Sequence, residues 1–85
     1  MNKLLSSALI VVALGLTGCN KLTVANYDKI KTGLAYDEVV RILGAPAACD
    51  EVLGLKVCRW GDDQRKIVVN FVGNAVVLTS AENIH

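Results

Sequence analysis

From Leu4 to Leu16 the chain is uncharged and rich in Leu, Ile, Val and Ala. That run is well short of the roughly 20 residues a membrane-spanning helix needs. Asn20 to Ala25 is short and polar, and the first helical signal follows it. Asn26 is a good N-cap, Tyr27 and Ile30 fall three apart, and Gly33 stands where a C-terminal glycine would stop the turn. A second helix is better marked, because Tyr36, Val39, Val40 and Leu43 form one apolar stripe at i, i+3, i+4 and i+7. Asp37 and Glu38 occupy its first turn, where the helix dipole favours them, and Gly44 with Pro46 ends it. Its N-cap is Ala35. A Ser or Thr there would form a capping box with Glu38, so alanine forgoes about 1 kcal/mol.

After Pro46 the period changes to that of strands. Cys49 and Cys58 are equidistant from a turn centred on Leu53-Gly54, a register that also sets Glu51 against Lys56. Leucine is a poor first residue for a primed hairpin turn, but any symmetric loop keeps this pairing. Arg59 and Trp60 end the second strand, and Gly61-Asp62-Asp63 makes the next turn. Lys66 to Val72 and Ala75 to Thr79 then flank Gly73-Asn74, a pair suited to a type II′ turn. Across that turn Phe71 meets Val76 and Val69 meets Leu78, giving with Ile67 an apolar face to pack on the helices. Val68, Asn70, Val77 and Thr79 fall on the other face. The expected fold class is α+β, with two short N-terminal helices packed on a small antiparallel sheet of three to four strands.

The start of the chain changes what the rest means. Asn2 and Lys3, the short apolar centre and the small residues after it have the anatomy of a secretory signal. The stretch Leu16-Thr17-Gly18-Cys19 resembles the bacterial lipobox. That resemblance implies cleavage between Gly18 and Cys19, with diacylglycerol on the thiol and a further acyl chain on the new amino group. Each buried methylene adds about 0.8 kcal/mol, so several chains on one residue anchor firmly. The plainer reading is a secretory signal followed by an unused cysteine. On the lipobox reading the chain divides into a signal peptide at 1–18, a lipidated tether at 19–25, a folded domain at 26–80 and a C-terminal tail at 81–85.

Nine Lys and Arg stand against eight Asp and Glu in the whole chain. Losing Lys3 with the signal brings the two into balance, and without a basic excess nucleic acid is not an expected partner. A domain this small is marginal and usually needs a staple. Cys49 and Cys58 remain as an even pair in an exported chain, where oxidising conditions favour a disulfide. Closing that loop would stabilise the fold by about 2.7 kcal/mol in the chain-entropy account. Redox chemistry would want a C-x-x-C motif, and zinc would need four ligands at recognisable spacings. Neither pattern is present, so no metal or cofactor is expected beyond the acyl groups on Cys19.

The helical region carries a family resemblance. Tyr27-x-x-Ile30-x-x-Gly33-Leu34-x-Tyr36-x-Glu38-Val39-x-x-x-Leu43-Gly44-x-Pro46 resembles the SmpA/OmlA (BamE-like) group of outer-membrane lipoproteins. It is closer still to small lipoproteins with the related DUF3862 domain, which share the fold of the β-lactamase inhibitory protein (BLIP) repeats. The similarity runs from Tyr27 to about Thr79, through Cys49, Cys58 and Trp60-Gly61-Asp62. The family pattern usually has Met at the place of Leu34 and Ser or Thr at that of Ala35. The resemblance implies a BamE/BLIP-like fold and a place at the periplasmic side of the outer membrane. Asn20 follows Cys19 where an aspartate would resemble an inner-membrane retention signal.

Candidate chemistry is sparse. Asp62 and Asp63 are adjacent in a turn, so they are not an opposed acid/base pair, and His85 is the lone histidine. Neither an activated nucleophile nor a phosphate-cradling glycine loop is recognisable. The expectation is a non-enzyme without a small-molecule substrate, held to the membrane by lipid and working through its surface. Trp60 suits either the core or a partner anchor. Val68, Asn70, Val77 and Thr79 suit either a partner-binding sheet face or ordinary strand positions. Two functions are compatible with this. One is a lipoprotein that binds and steadies another envelope protein, linked by resemblance to outer-membrane protein assembly. The other is a BLIP-like inhibitor or sensor that caps an exported enzyme with its sheet.

Overall fold

A computed structural model describes residues 21–85 of the chain. The expected signal peptide, the Gly18–Cys19 cleavage site and the acylated Cys19 lie outside the described residues. The elements run α1 (Val24–Tyr27), α2 (Tyr36–Leu43), β1 (Ala48–Val52), β2 (Leu55–Gly61), β3 (Lys66–Val72) and β4 (Ala75–Glu82). The strands form one antiparallel sheet in the order β1-β2-β3-β4. The class is α+β, two short helices with a small four-stranded antiparallel sheet.

The first helix starts earlier than the spacing of Tyr27 and Ile30 predicts. Thr23 is its N-cap, with Oγ1 accepting from the backbone N–H of Asn26 at 3.1 Å. Asn26 lies inside the helix, and its side-chain amide donates to the Lys21 carbonyl at 2.9 Å. A single turn this short gains little from its own hydrogen bonds and is held by packing. Leu22 and Tyr27 lean on the core, and the Val24 N–H donates to the His85 carbonyl at 3.4 Å. Ordered structure therefore reaches into the stretch expected to be tether.

The second helix begins and ends as its pattern predicts. Ala35 is the N-cap, in extended conformation and without a side-chain cap, and Gly44 closes the helix at φ 87°. Val39 and Leu43 are buried on the sheet side, with Tyr36 and Val40 packed beside them. The core they share with the sheet contains Ile30, Cys58, Trp60, Ile67, Val69, Phe71 and Val76. Tyr36 meets Phe71 edge-on at 5.2 Å between ring centroids, and the Lys56 ammonium lies over the Tyr36 ring, 3.8 Å from its centroid.

In the sheet, Cys49 pairs with Cys58 and Glu51 with Lys56, around a two-residue loop of Leu53 and Gly54. The cysteines form a disulfide with a Cα–Cα distance of 4.1 Å. Both loop residues have positive φ, 52° at Leu53 and 85° at Gly54, as a type I′ turn requires. Gly73 and Asn74 likewise have φ of 59° and 65°, so that turn is also type I′ and not the expected type II′. Asparagine tolerates the left-handed region well enough to fill its second position.

The larger departure is a β-bulge. Phe71 pairs with Val76 as expected, but Asn70 pairs with Leu78 and Val69 with Thr79, because the register shifts between Asn70 and Phe71. One extra residue, Val77, enters β4 there, and a slip of one residue exchanges the faces of everything beyond it. Leu78 leaves the helix-facing side and is exposed, while Thr79 takes its place. Past the bulge β4 continues through Ala81, paired with Ile67, to Glu82, paired with Lys66. The strand thus extends three residues beyond Thr79.

Candidate functional site

The face of the sheet turned away from the helices is built in rows. At the end bearing both hairpin turns, Val52 pairs with Leu55, Leu55 with Val72 and Val72 with Ala75, one apolar row across all four strands. Val52 is 63 % exposed, Val72 51 % and Leu55 39 %, and Leu53 in the adjoining turn is fully exposed. The next row holds Asp50, Val57, Asn70 and Leu78, and the one after it Ala48, Arg59, Val68 and Ser80. The far end carries Gly61, Lys66 and Glu82, the last two joined by an ion pair at 3.4 Å. Arg59 donates from Nη1 to the Gly61 carbonyl at 3.1 Å. The face therefore grades from apolar at the turns to charged at the opposite end.

Several residues read from the sequence as a partner face stand elsewhere. Trp60 is 1 % exposed, and its indole N–H donates to the Gly44 carbonyl at 2.8 Å. It locks the end of α2 to the sheet and offers no surface to a partner, so of its two sequence readings the core holds. Thr79 is on the helix side, with its hydroxyl 3.1 Å from that of Tyr27. Val77 is exposed, but at the bulge and outside the rows. Val68 and Asn70 do lie on the open face, both half-buried. The residues that sequence reasoning missed are Val52, Leu53, Leu55, Val57, Val72 and Leu78. Four of them carried a signal, since strand alternation sets Val52, Leu55 and Val57 opposite in phase to the cysteines and Val72 in phase with Asn70. Leu78 carried none, because a bulge leaves no mark in the hydrophobic pattern.

Leu53 is the one non-polar, non-glycine residue with positive φ in the described chain. A leucine in the left-handed region costs about 1–2 kcal/mol relative to glycine or asparagine. Such strain at a fully exposed side chain is the kind of feature that accompanies a binding role.

At the other end of the sheet the Asp62–Arg65 turn is well determined. Asp62 Oδ1 accepts from the backbone N–H groups of Gln64 and Arg65, each at 2.9 Å, and these bonds hold its carboxyl below the usual aspartate range. Gly61 precedes it at φ 99°, and a Cβ there would collide with the Arg65 carbonyl oxygen. Asp62, Gln64, Arg65, Asn83 and His85 line an open cleft of about 330 Å³. The structure thus brings Asp62 and His85 to one place. Asp62 there is a turn cap whose charged form is favoured by its two N–H donors. Among the described residues no group of three or more His, Cys, Asp or Glu is placed to hold a metal ion, and no helix is long and apolar enough to cross a membrane.

Compared with protein-family models, curated proteins and solved structures, the chain finds no match.

Proposed function

We propose that this chain is a non-catalytic lipoprotein of the bacterial envelope that binds and steadies another envelope protein with the open face of its sheet. The observation that carries the reading is the exposed apolar row of Val52, Leu55 and Val72, crowned by Leu53 and continued by Leu78. Isolated exposed apolar residues are ordinary, but a contiguous patch on so small a domain has the character of an interaction surface.

The placement of the anchor supports a protein partner over lipid. Cys19 stands two residues before Lys21, and Leu22 lies against Gly61 at the charged end of the sheet. The apolar row is at the opposite end, about 20 Å away along β2 at the rise of a strand. A domain tethered through Cys19 would hold that row away from the bilayer. The resemblance of Tyr27 to Pro46 to the SmpA/OmlA group adds the outer membrane, its periplasmic side and the assembly of its proteins as the setting we favour, by analogy of family.

The test has two parts. Intact mass of membrane-extracted protein should equal residues 19–85 plus acyl groups, with two thiols appearing only after reduction. An unacylated mass would remove the anchor. Affinity capture from solubilised envelope should then recover a partner that Val72→Lys releases and Asp63→Lys retains. Equal recovery by both variants would sink the sheet-face reading, and recovery of a single soluble enzyme would replace it with inhibition.

A further inference from the structure

An open sheet has two edges, and here they differ. The outer edge of β4 is occupied at its start by the segment between the helices. Gly33 N–H donates to the Val76 carbonyl at 2.8 Å, Val76 N–H to the Leu34 carbonyl at 2.9 Å, and Tyr36 N–H to the Asn74 carbonyl at 2.9 Å. The bulge at Val77 disrupts the same edge a residue later. The outer edge of β1 has no such cover: all five of its residues are exposed, and among the described residues no segment pairs with it.

Which backbone groups that edge presents follows from the pairing. Opposed residues with Cα atoms near 4.5 Å are of the non-hydrogen-bonded kind. Cys49 and Cys58, at 4.1 Å, are such a pair. The N–H and C=O of Cys49 therefore point away from β2, as do those of Glu51 two residues on. The disulfide holds this short edge strand in place, so its outward groups are organised before anything binds.

Edge strands are commonly protected by charge, and β1 carries Asp50 and Glu51. Glu51 is answered by Lys56 across the hairpin. Asp50 is on the open face opposite Val57, and among the described residues no ion pair engages it. A second copy pairing antiparallel about Asp50 would set the two aspartates against each other, which is destabilising. A strand with a lysine or arginine at that place would be favoured instead.

We propose that the outer edge of β1 accepts an extended segment of another protein, added antiparallel to the sheet. That segment would carry a basic side chain opposite Asp50 and an apolar one opposite Val52, where it extends the exposed row. Main-chain bonds to Cys49 and Glu51 supply the affinity, and the alternating side chains supply the selection. This goes beyond the sheet-face reading and stands without it, because the edge groups are distinct from the face and no lipid anchor is needed.

The experiment is residue-resolved hydrogen exchange on the full protein as isolated, with a capped synthetic peptide Thr-Val-Lys-Lys-Thr-Val as the probe. At saturation the Cys49 and Glu51 amides should exchange about tenfold more slowly or better, while the Asp50 amide, already bonded to β2, changes little. The matching peptide with Glu for Lys should give no protection, and Asp50→Lys should reverse the preference between the two. Protection of neither outward amide, or equal protection by both peptides, overturns the proposal. So does protection that rises with protein concentration alone, since the occupant would then be a second copy.

Discussion

Asp62 illustrates how far one side chain is decided by its neighbours in the chain. An aspartate after a glycine in a turn is a common sight, and its carboxylate caps the backbone two and three residues on. The two N–H donors favour the charged form, so the folded-state pKa lies below the unfolded one. The contribution of this cap is present above the unfolded value and is lost as pH falls through the folded one, below about pH 4. A carbon-detected titration should therefore place the Asp62 midpoint below that of an unfolded-peptide aspartate, with the Gln64 and Arg65 amides losing protection in step. A midpoint at or above that of an unfolded-peptide aspartate would show that the turn bonds are absent in solution. Leu53 is the contrasting case. Its left-handed backbone was legible as a problem, leucine being a poor first residue for a primed turn, and the structure keeps the tight turn and bears the strain.

At the scale of the element, α2 was readable nearly to the residue because its stripe, its acidic first turn and its Gly44 stop all agree. The uncapped Ala35 gives a direct test. It is exposed and already extended, so Ala35→Ser should cap the helix, form the reciprocal bond with Glu38 and raise stability by about 1 kcal/mol in urea denaturation. No gain would mean that Glu38 stays with Arg41, its ion-pair partner at 3.2 Å. For α1 the signal was real and misplaced. Thr23 and Asn26 are both good caps, and docking of Leu22 on the core selected the earlier one. β4 was readable only as far as Val76, since the extra residue that follows reverses what the alternation predicts.

For the molecule as a whole, the disulfide has an outsized part. β1 contributes no buried side chain, so it is attached by its ladder to β2 and by Cys49. Replacing both cysteines, Cys49→Ser with Cys58→Ala, should lower stability by about 2.7 kcal/mol from loop entropy alone. Because all five residues of β1 are exposed, hydrogen exchange should show its amides losing protection before those of β3. Uniform loss across the sheet would mean that β1 and the core unfold as one unit. Trp60 adds a further tie, bonding the C-cap of α2 to β2.

By itself the sequence determined the class of the fold, the second helix, the first hairpin with its cysteine pairing, and the apolar core positions of β3. These rest on local periodicity and on turns whose symmetry leaves one register. Tertiary structure decided the rest. It chose the cap of α1 through a contact with the sheet, buried Trp60 by giving its N–H a carbonyl on another element, and sent Leu78 outward through a bulge. It also covered the start of one edge of the sheet and left the other, among the described residues, unpaired. Those outcomes depend on which segments meet in space, and pairing between distant segments is not written in the spacing of either one.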